Sequence, residues 1–221
     1  MKKCFFLLAA LLALTSSGVL PAPSLAAASA ASAPAPASFT EVAATAALLA
    51  QVRAGGFVLY LRHGYTDNKR ADRMPAVDLA DCSTQRPLTE DGRQLARQVG
   101  ESMRKARLPI GEIRSSPLCR AKETTAASFP GRSFTIDQNL MYTANLTDAQ
   151  KAPIIANTRR LLSTPVAPGE NRLLVAHAPN LMDVIGYFPK EGTLVIFRPR
   201  GDAGFDYLGS VAPARWPELL R

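Results

Sequence analysis

The chain contains two histidines, and each follows directly on a short apolar run. His63 comes after Phe57–Leu61 (FVLYL) and Arg62, and His177 comes after Arg172–Ala176 (RLLVA). Runs of this length, rich in β-branched and aromatic residues, read as buried strands. Each imidazole therefore projects from the carboxyl end of a strand, where open α/β sheets build their sites. A lone histidine is more often a satisfied core or surface residue, but two of two at strand exits argues for a shared role. Arg62 stands beside the first, and Arg120 lies on a helical segment. Guanidinium groups are permanent cations whose planar donor forks fit phosphate oxygens. A neutral imidazole among them is a competent nucleophile toward phosphorus. The arginines would stabilise charge on the equatorial oxygens during in-line transfer, and His177 would add hydrogen bonds. Nearby cations lower an imidazole pKa by like-charge repulsion, which keeps the nucleophile unprotonated. Such chemistry requires no metal and no cofactor. The sequence has no Cys/His/carboxylate cluster at ligand spacing and no P-loop pattern.

The remaining elements must bring these four groups together. Glu41–Arg53 is Ala/Leu-rich and reads as a lead-in helix ended by Gly55-Gly56. Residues 65–88 lack periodicity and read as a long loop over the active face, carrying Arg70, Asp72, Arg73, Asp78, Asp81 and Arg86. That loop either shapes substrate access or is a solvated, salt-bridged surface. Thr89 is an N-cap, with Glu90 and Asp91 in a favourable first turn. Leu95, Val99 and Met103 form one apolar face of that helix, which runs to about Arg107. Glu112–Arg114 reads as a short strand, and Pro117 as the first position of a helix through Ser128. Ser133–Ile136 reads as a strand, Thr147–Leu162 as a helix around Pro153, and Pro179–Tyr187 as a short helix. Thr193–Phe197 and Phe205–Val211 read as a final antiparallel pair. The expected fold is an α/β three-layer sandwich: a mostly parallel sheet, helices on both faces and an antiparallel edge.

Residues 1–26 have the layout of a secretory signal peptide: Lys2 and Lys3, the apolar run Cys4–Leu14, then small residues. The run is too short for a spanning helix, so no stable membrane anchor is expected. Residues 27–40 read as a flexible Ala/Pro/Ser linker, and residues 41–221 as the folded domain. The chain carries 26 Lys+Arg against 18 Asp+Glu, a formal charge of +8. The basic residues are dispersed, which suits attraction of anionic substrates or merely a solvated surface. With no basic stripe or aromatic platform, a nucleic-acid partner is not expected. Export would leave Cys82 and Cys119 in an oxidising compartment, as a candidate disulfide or as two buried thiols.

Four segments carry a family resemblance. Leu59-Tyr60-Leu61-Arg62-His63-Gly64 resembles the signature of the histidine phosphatase superfamily, the phosphoglycerate mutase-like enzymes. Pro87-Leu88-Thr89-Glu90-Asp91-Gly92, Ser115–Thr124 (SSPLCRAKET) and Val175-Ala176-His177 resemble the motifs that follow it, in the same order. The resemblance spans about Phe57 to Pro199. It implies that His63 forms a phosphohistidine intermediate, that Arg62, Arg120 and His177 complete the phosphate pocket, and that Thr66 touches the phosphate.

Cleaving a phosphoester usually needs a proton for the leaving oxygen. Relatives often carry a glutamate after the second arginine, but Asp137–Tyr142 (DQNLMY) has none. Glu191, Asp183 and Asp67 are the candidate general acids, each otherwise an ordinary surface carboxylate. The expectation is an exported phosphatase acting on a small-molecule or envelope-linked phosphomonoester. The alternatives are an envelope-phosphosugar phosphatase and an anion-binding module of the same fold without turnover.

Overall fold

Among the described residues, six strands form one mixed sheet in the order β3-β2-β4-β1-β5-β6. They are β1 (Val58–Arg62), β2 (Ile110–Ser115), β3 (Thr135–Ile136), β4 (Asn171–Ala176), β5 (Leu194–Pro199) and β6 (Phe205–Val211). The structure is a computed structural model and describes residues 39–73 and 77–221. The signal peptide expected at 1–26 and most of the linker lie outside the described residues. β3, β2, β4 and β1 pair in parallel, while β5 and β6 add the antiparallel edge.

The sheet is buried on both faces, which explains why its central strands are continuous apolar runs. Leu59, Leu61, Leu173, Val175, Leu194 and Ile196 enter one core. Their neighbours Val58, Tyr60, Leu174, Ala176, Val195 and Phe197 enter the other, as the two-residue period of a strand requires. The first core is covered by α1 (Ala46–Val52), α2 (Glu90–Lys105), α3 (Cys119–Ser128) and α6 (Trp216–Leu219). The second is covered by α4 (Asp148–Ser163) and α5 (Ala178–Ile185). No helix among the described residues is long and apolar enough to cross a membrane.

Several expected boundaries shift. α1 starts at Ala46 instead of Glu41, because Ala43 bridges to Ser210 and the Thr45 side chain accepts from Leu48 N–H as an N-cap. Pro117 lies before α3 rather than at its first position, since Leu118 is the extended N-cap residue. Leu118 supplies no side-chain cap. Gln85 supplies one from the loop, its Oε1 accepting from Cys119 N–H at 2.7 Å, and so satisfies one of the helix's orphan donors. Pro153 sits inside α4, and the helix opens with a full capping box from Thr147 and Gln150.

Two glycines let α2 lie directly on the chain that follows β1. A Cβ on Gly92 would come 2.1 Å from Tyr65 O, and one on Gly64 would come 2.4 Å from Gly92 O. Thr89 N–H donates to Tyr65 O at 2.9 Å, Asp67 N–H to Pro87 O at 3.1 Å, and Thr66 bridges to Leu88. The Pro87–Gly92 segment is thus the clamp that fixes the backbone after His63. The loop 65–88 is moored again at Cys82, which is disulfide-bonded to Cys119 with a Cα separation of 5.7 Å.

Two predictions follow from this packing. Gly92→Ala should lower stability by about 1–3 kcal/mol, read as a shifted denaturation midpoint at constant slope, because the contacted atoms are backbone. Peptide mapping without reduction should recover Cys82 and Cys119 as one linked pair. Replacing both by serine should cost about 4 kcal/mol by the entropy of the loop they close.

Candidate active site

The two histidines meet because β1 and β4 are parallel neighbours in register, with Arg62 opposite Ala176. The next residue of each strand is His63 and His177, and adjacent strands lie about 4.8 Å apart. The imidazole centroids are 5.3 Å apart. Backbone contacts lock both: His63 N–H donates to Ala176 O at 3.1 Å. Tyr60 OH donates to His177 O at 2.7 Å and accepts from His177 N–H at 3.1 Å. Gly64 N–H donates to Thr124 Oγ1 at 3.0 Å, which ties α3 to the same turn.

Both imidazoles are buried, at 1% and 0% exposure. His63 Nδ1 lies 2.8 Å from Gly64 O. A carbonyl oxygen only accepts, so Nδ1 carries the proton and Nε2 keeps its lone pair. His177 is held the other way round: its Nε2 lies 2.7 Å from Ser116 Oγ, which also accepts from Leu118 N–H at 3.3 Å. With Nε2 taken by Ser116, the other ring nitrogen, Nδ1, is buried and has no protein partner. Burial, and next the field of Arg120, holds both imidazoles well below the ordinary value of 6.5.

Arg62 points along the rim. Its Nη1 donates to Pro189 O at 2.6 Å, its Nη2 lies 3.8 Å from Glu191 Oε1, and its guanidinium stacks 5.1 Å over the Phe188 ring. Arg120 is fully buried, with its guanidinium 5.1 Å from the Tyr142 ring. Tyr142 also meets His177 edge-on at 5.5 Å, so it lines the pocket. Arg120 Nη1 and Nη2 donate to the two oxygens of Asp72 at 2.9 and 3.2 Å.

The four residues expected to form the pocket therefore converge. Thr66 is nearby, but its hydroxyl donates to Glu191 Oε1 at 2.8 Å. Of the three candidate acids, Glu191 alone touches this set, with Oε1 3.9 Å from His63 Nδ1. Asp183 pairs with Lys151 at 3.4 Å on the α4–α5 surface. Asp67 closes a local turn by accepting from Lys69 N–H at 2.9 Å.

Two residues named by sequence only among the six charged residues of the loop reach this site: Asp72, and Arg86, whose charge reaches Arg62, Arg120 and both imidazoles. Among the described residues, no group of three or more His, Cys, Asp and Glu side chains is arranged to hold a metal ion. Within the pocket, Arg62 Nε, Arg86 Nε, Arg120 Nε and His177 Nδ1 are buried without protein partners, a set suited to an anion.

Residues 58–141 match the model of the histidine phosphatase superfamily (branch 1). No curated protein matches the chain. Among solved structures, a mycobacterial hydrolase is 20% identical with a TM-score of 0.50, over 69% of this chain and 96% of its own. A mycobacterial glucosyl-3-phosphoglycerate phosphatase complexed with VO3 is 18% identical with a TM-score of 0.50, over 70% and 98%. At these identities the likeness is one of fold. The matched segment contains β1, the clamp, the disulfide and Arg120, and the fold brings His177 to it. Over residues 58–141 the chain is similar to the histidine phosphatase superfamily.

Proposed function

We propose that this protein is a phosphatase that hydrolyses phosphomonoesters through a phosphohistidine on His63. The observation that carries the reading is the His63 tautomer: a buried, neutral imidazole with its proton fixed on Nδ1 by Gly64 O. Nε2 then attacks phosphorus, the P–N bond forms, and the P–O bond to the leaving group breaks with its electron pair going to that oxygen. Arg62, Arg120 and His177 stabilise the phosphoryl oxygens as charge moves across them. Water attacks the phosphohistidine in a second step, releasing orthophosphate and regenerating the imidazole.

Glu191 is the carboxyl we assign to protonating the leaving oxygen, because it is the one candidate acid in contact with the pocket. Export is supported by the layout of residues 1–26 and by the Cys82–Cys119 bond, which suits an oxidising compartment. The substrate is then a small or envelope-linked phosphomonoester.

The purified protein should hydrolyse p-nitrophenyl phosphate, and His63→Ala should abolish turnover. Rapid acid-free quenching should trap a phosphoenzyme whose 31P signal is that of a phosphoramidate. Tight phosphate binding without turnover would instead mean an anion-binding module. Glu191→Gln should slow alkyl phosphates far more than p-nitrophenyl phosphate, since a good leaving group needs no proton; equal slowing would remove Glu191 from that role.

The pH dependence has a definite sign. Both folded imidazoles have pKa values below the unfolded value, so the unfolded chain binds more protons as pH falls through about 6.5. Stability should be level above that pH and fall below it. The acid limb of kcat/KM should lie well under the ordinary imidazole value. An acid limb near 6.5 would contradict a buried neutral nucleophile.

A further inference from the structure

We propose that Asp72 is an internal anion of the phosphate pocket: it fills the Arg120 fork when the site is empty, leaves when a phosphoryl group binds, and returns to expel orthophosphate. This rests on reading the pocket as a phosphate site. It adds a residue that acts on substrate entry and product release.

Asp72 makes the contact that a phosphate edge would make. Both carboxylate oxygens are taken by the two terminal nitrogens of Arg120, at 2.9 and 3.2 Å, and Oδ1 also accepts from Arg86 N–H at 2.8 Å. An end-on guanidinium fork fits a carboxylate edge and a phosphate edge alike. The pair is dry, with the Arg120 side chain 0% and the Asp72 side chain 7% exposed. A phosphoryl group that uses this fork must separate them.

The carboxylate comes from a segment that can yield. Asp72 belongs to no strand or helix, whereas His63, Arg120 and His177 are fixed by β1, α3 and β4. The same loop is moored beyond Asp72, at Gln85 on Cys119 N–H and at Cys82 on Cys119 Sγ. Those moorings keep Asp72 within reach of the pocket after it is displaced.

Charge at the fork favours the exchange. Asp72 offers Arg120 one negative charge, whereas a phosphomonoester dianion offers two in the same end-on geometry. After hydrolysis the same competition works in reverse, since Asp72 is tethered and orthophosphate is not.

The test compares inorganic phosphate binding by calorimetry with steady-state kinetics on p-nitrophenyl phosphate. Asp72→Asn should tighten phosphate at least tenfold, lower KM in parallel and lower kcat as product release becomes limiting. Glu191→Gln removes the same charge without emptying the fork, and should tighten phosphate less. Weaker or unchanged binding in Asp72→Asn, or equal tightening in both variants, overturns the proposal. A tungstate complex of the unaltered protein gives an independent reading. Tungstate oxygens in the Arg120 fork with Asp72 displaced support it, and an intact Arg120–Asp72 pair beside bound tungstate overturns it. A protein that binds phosphate in this way but hydrolyses nothing refutes the phosphatase reading and leaves the Asp72 exchange standing.

Discussion

The parallel, in-register pairing of β1 with β4 is the constraint on which the site depends. Parallel neighbours end at the same edge of the sheet, and Arg62 opposite Ala176 makes the next two residues His63 and His177. Antiparallel pairing, or a shift of one residue, would send one imidazole to the far edge or the other face. The hydrogen bonds linking His63 N–H to Ala176 O and Tyr60 OH to the His177 backbone extend that pairing beyond the last strand residue. An imidazole separated from its partner by more than a hundred residues is thereby set to within a ring's width.

Around that pair the pocket is built from groups that are costly to bury one at a time and acceptable together. A buried neutral imidazole needs its proton placed: Gly64 O holds the His63 proton on Nδ1, and Ser116 Oγ occupies the opposite nitrogen, Nε2, of His177. A fully buried guanidinium needs a counter-charge, which Asp72 provides. The scaffold elements hold what must stay still, and the loop holds what must exchange. The disulfide next to Arg120 gives the loop a fixed pivot without fixing Asp72 itself.

Local sequence carried most of the fold. The apolar runs of β1, β4 and β5 were unmistakable because both sheet faces are covered, and α2 was legible from Leu95, Val99 and Met103 at spacing four, all buried as expected. Element ends were less legible where a distant group decided them. α3 is capped by Gln85 from 34 residues away, and α1 is shortened by a bridge to Ser210. Neither partner leaves a signal in the helix's own sequence.

The same division holds at the site. Sequence determined which residue types stand at strand exits and which arginines flank them, because strand period and position at a carboxyl edge are local properties. It could also name Glu191, Asp183 and Asp67 as acids, but could not rank them. Only the tertiary structure decided that Glu191 reaches the pocket while Asp183 spends its charge on Lys151. Only it revealed that Tyr142 lines the pocket and that Asp72 and Arg86 enter it from the loop. An irregular segment has no period from which to read direction, so where its side chains go is set by the partners that the folded chain brings to meet it.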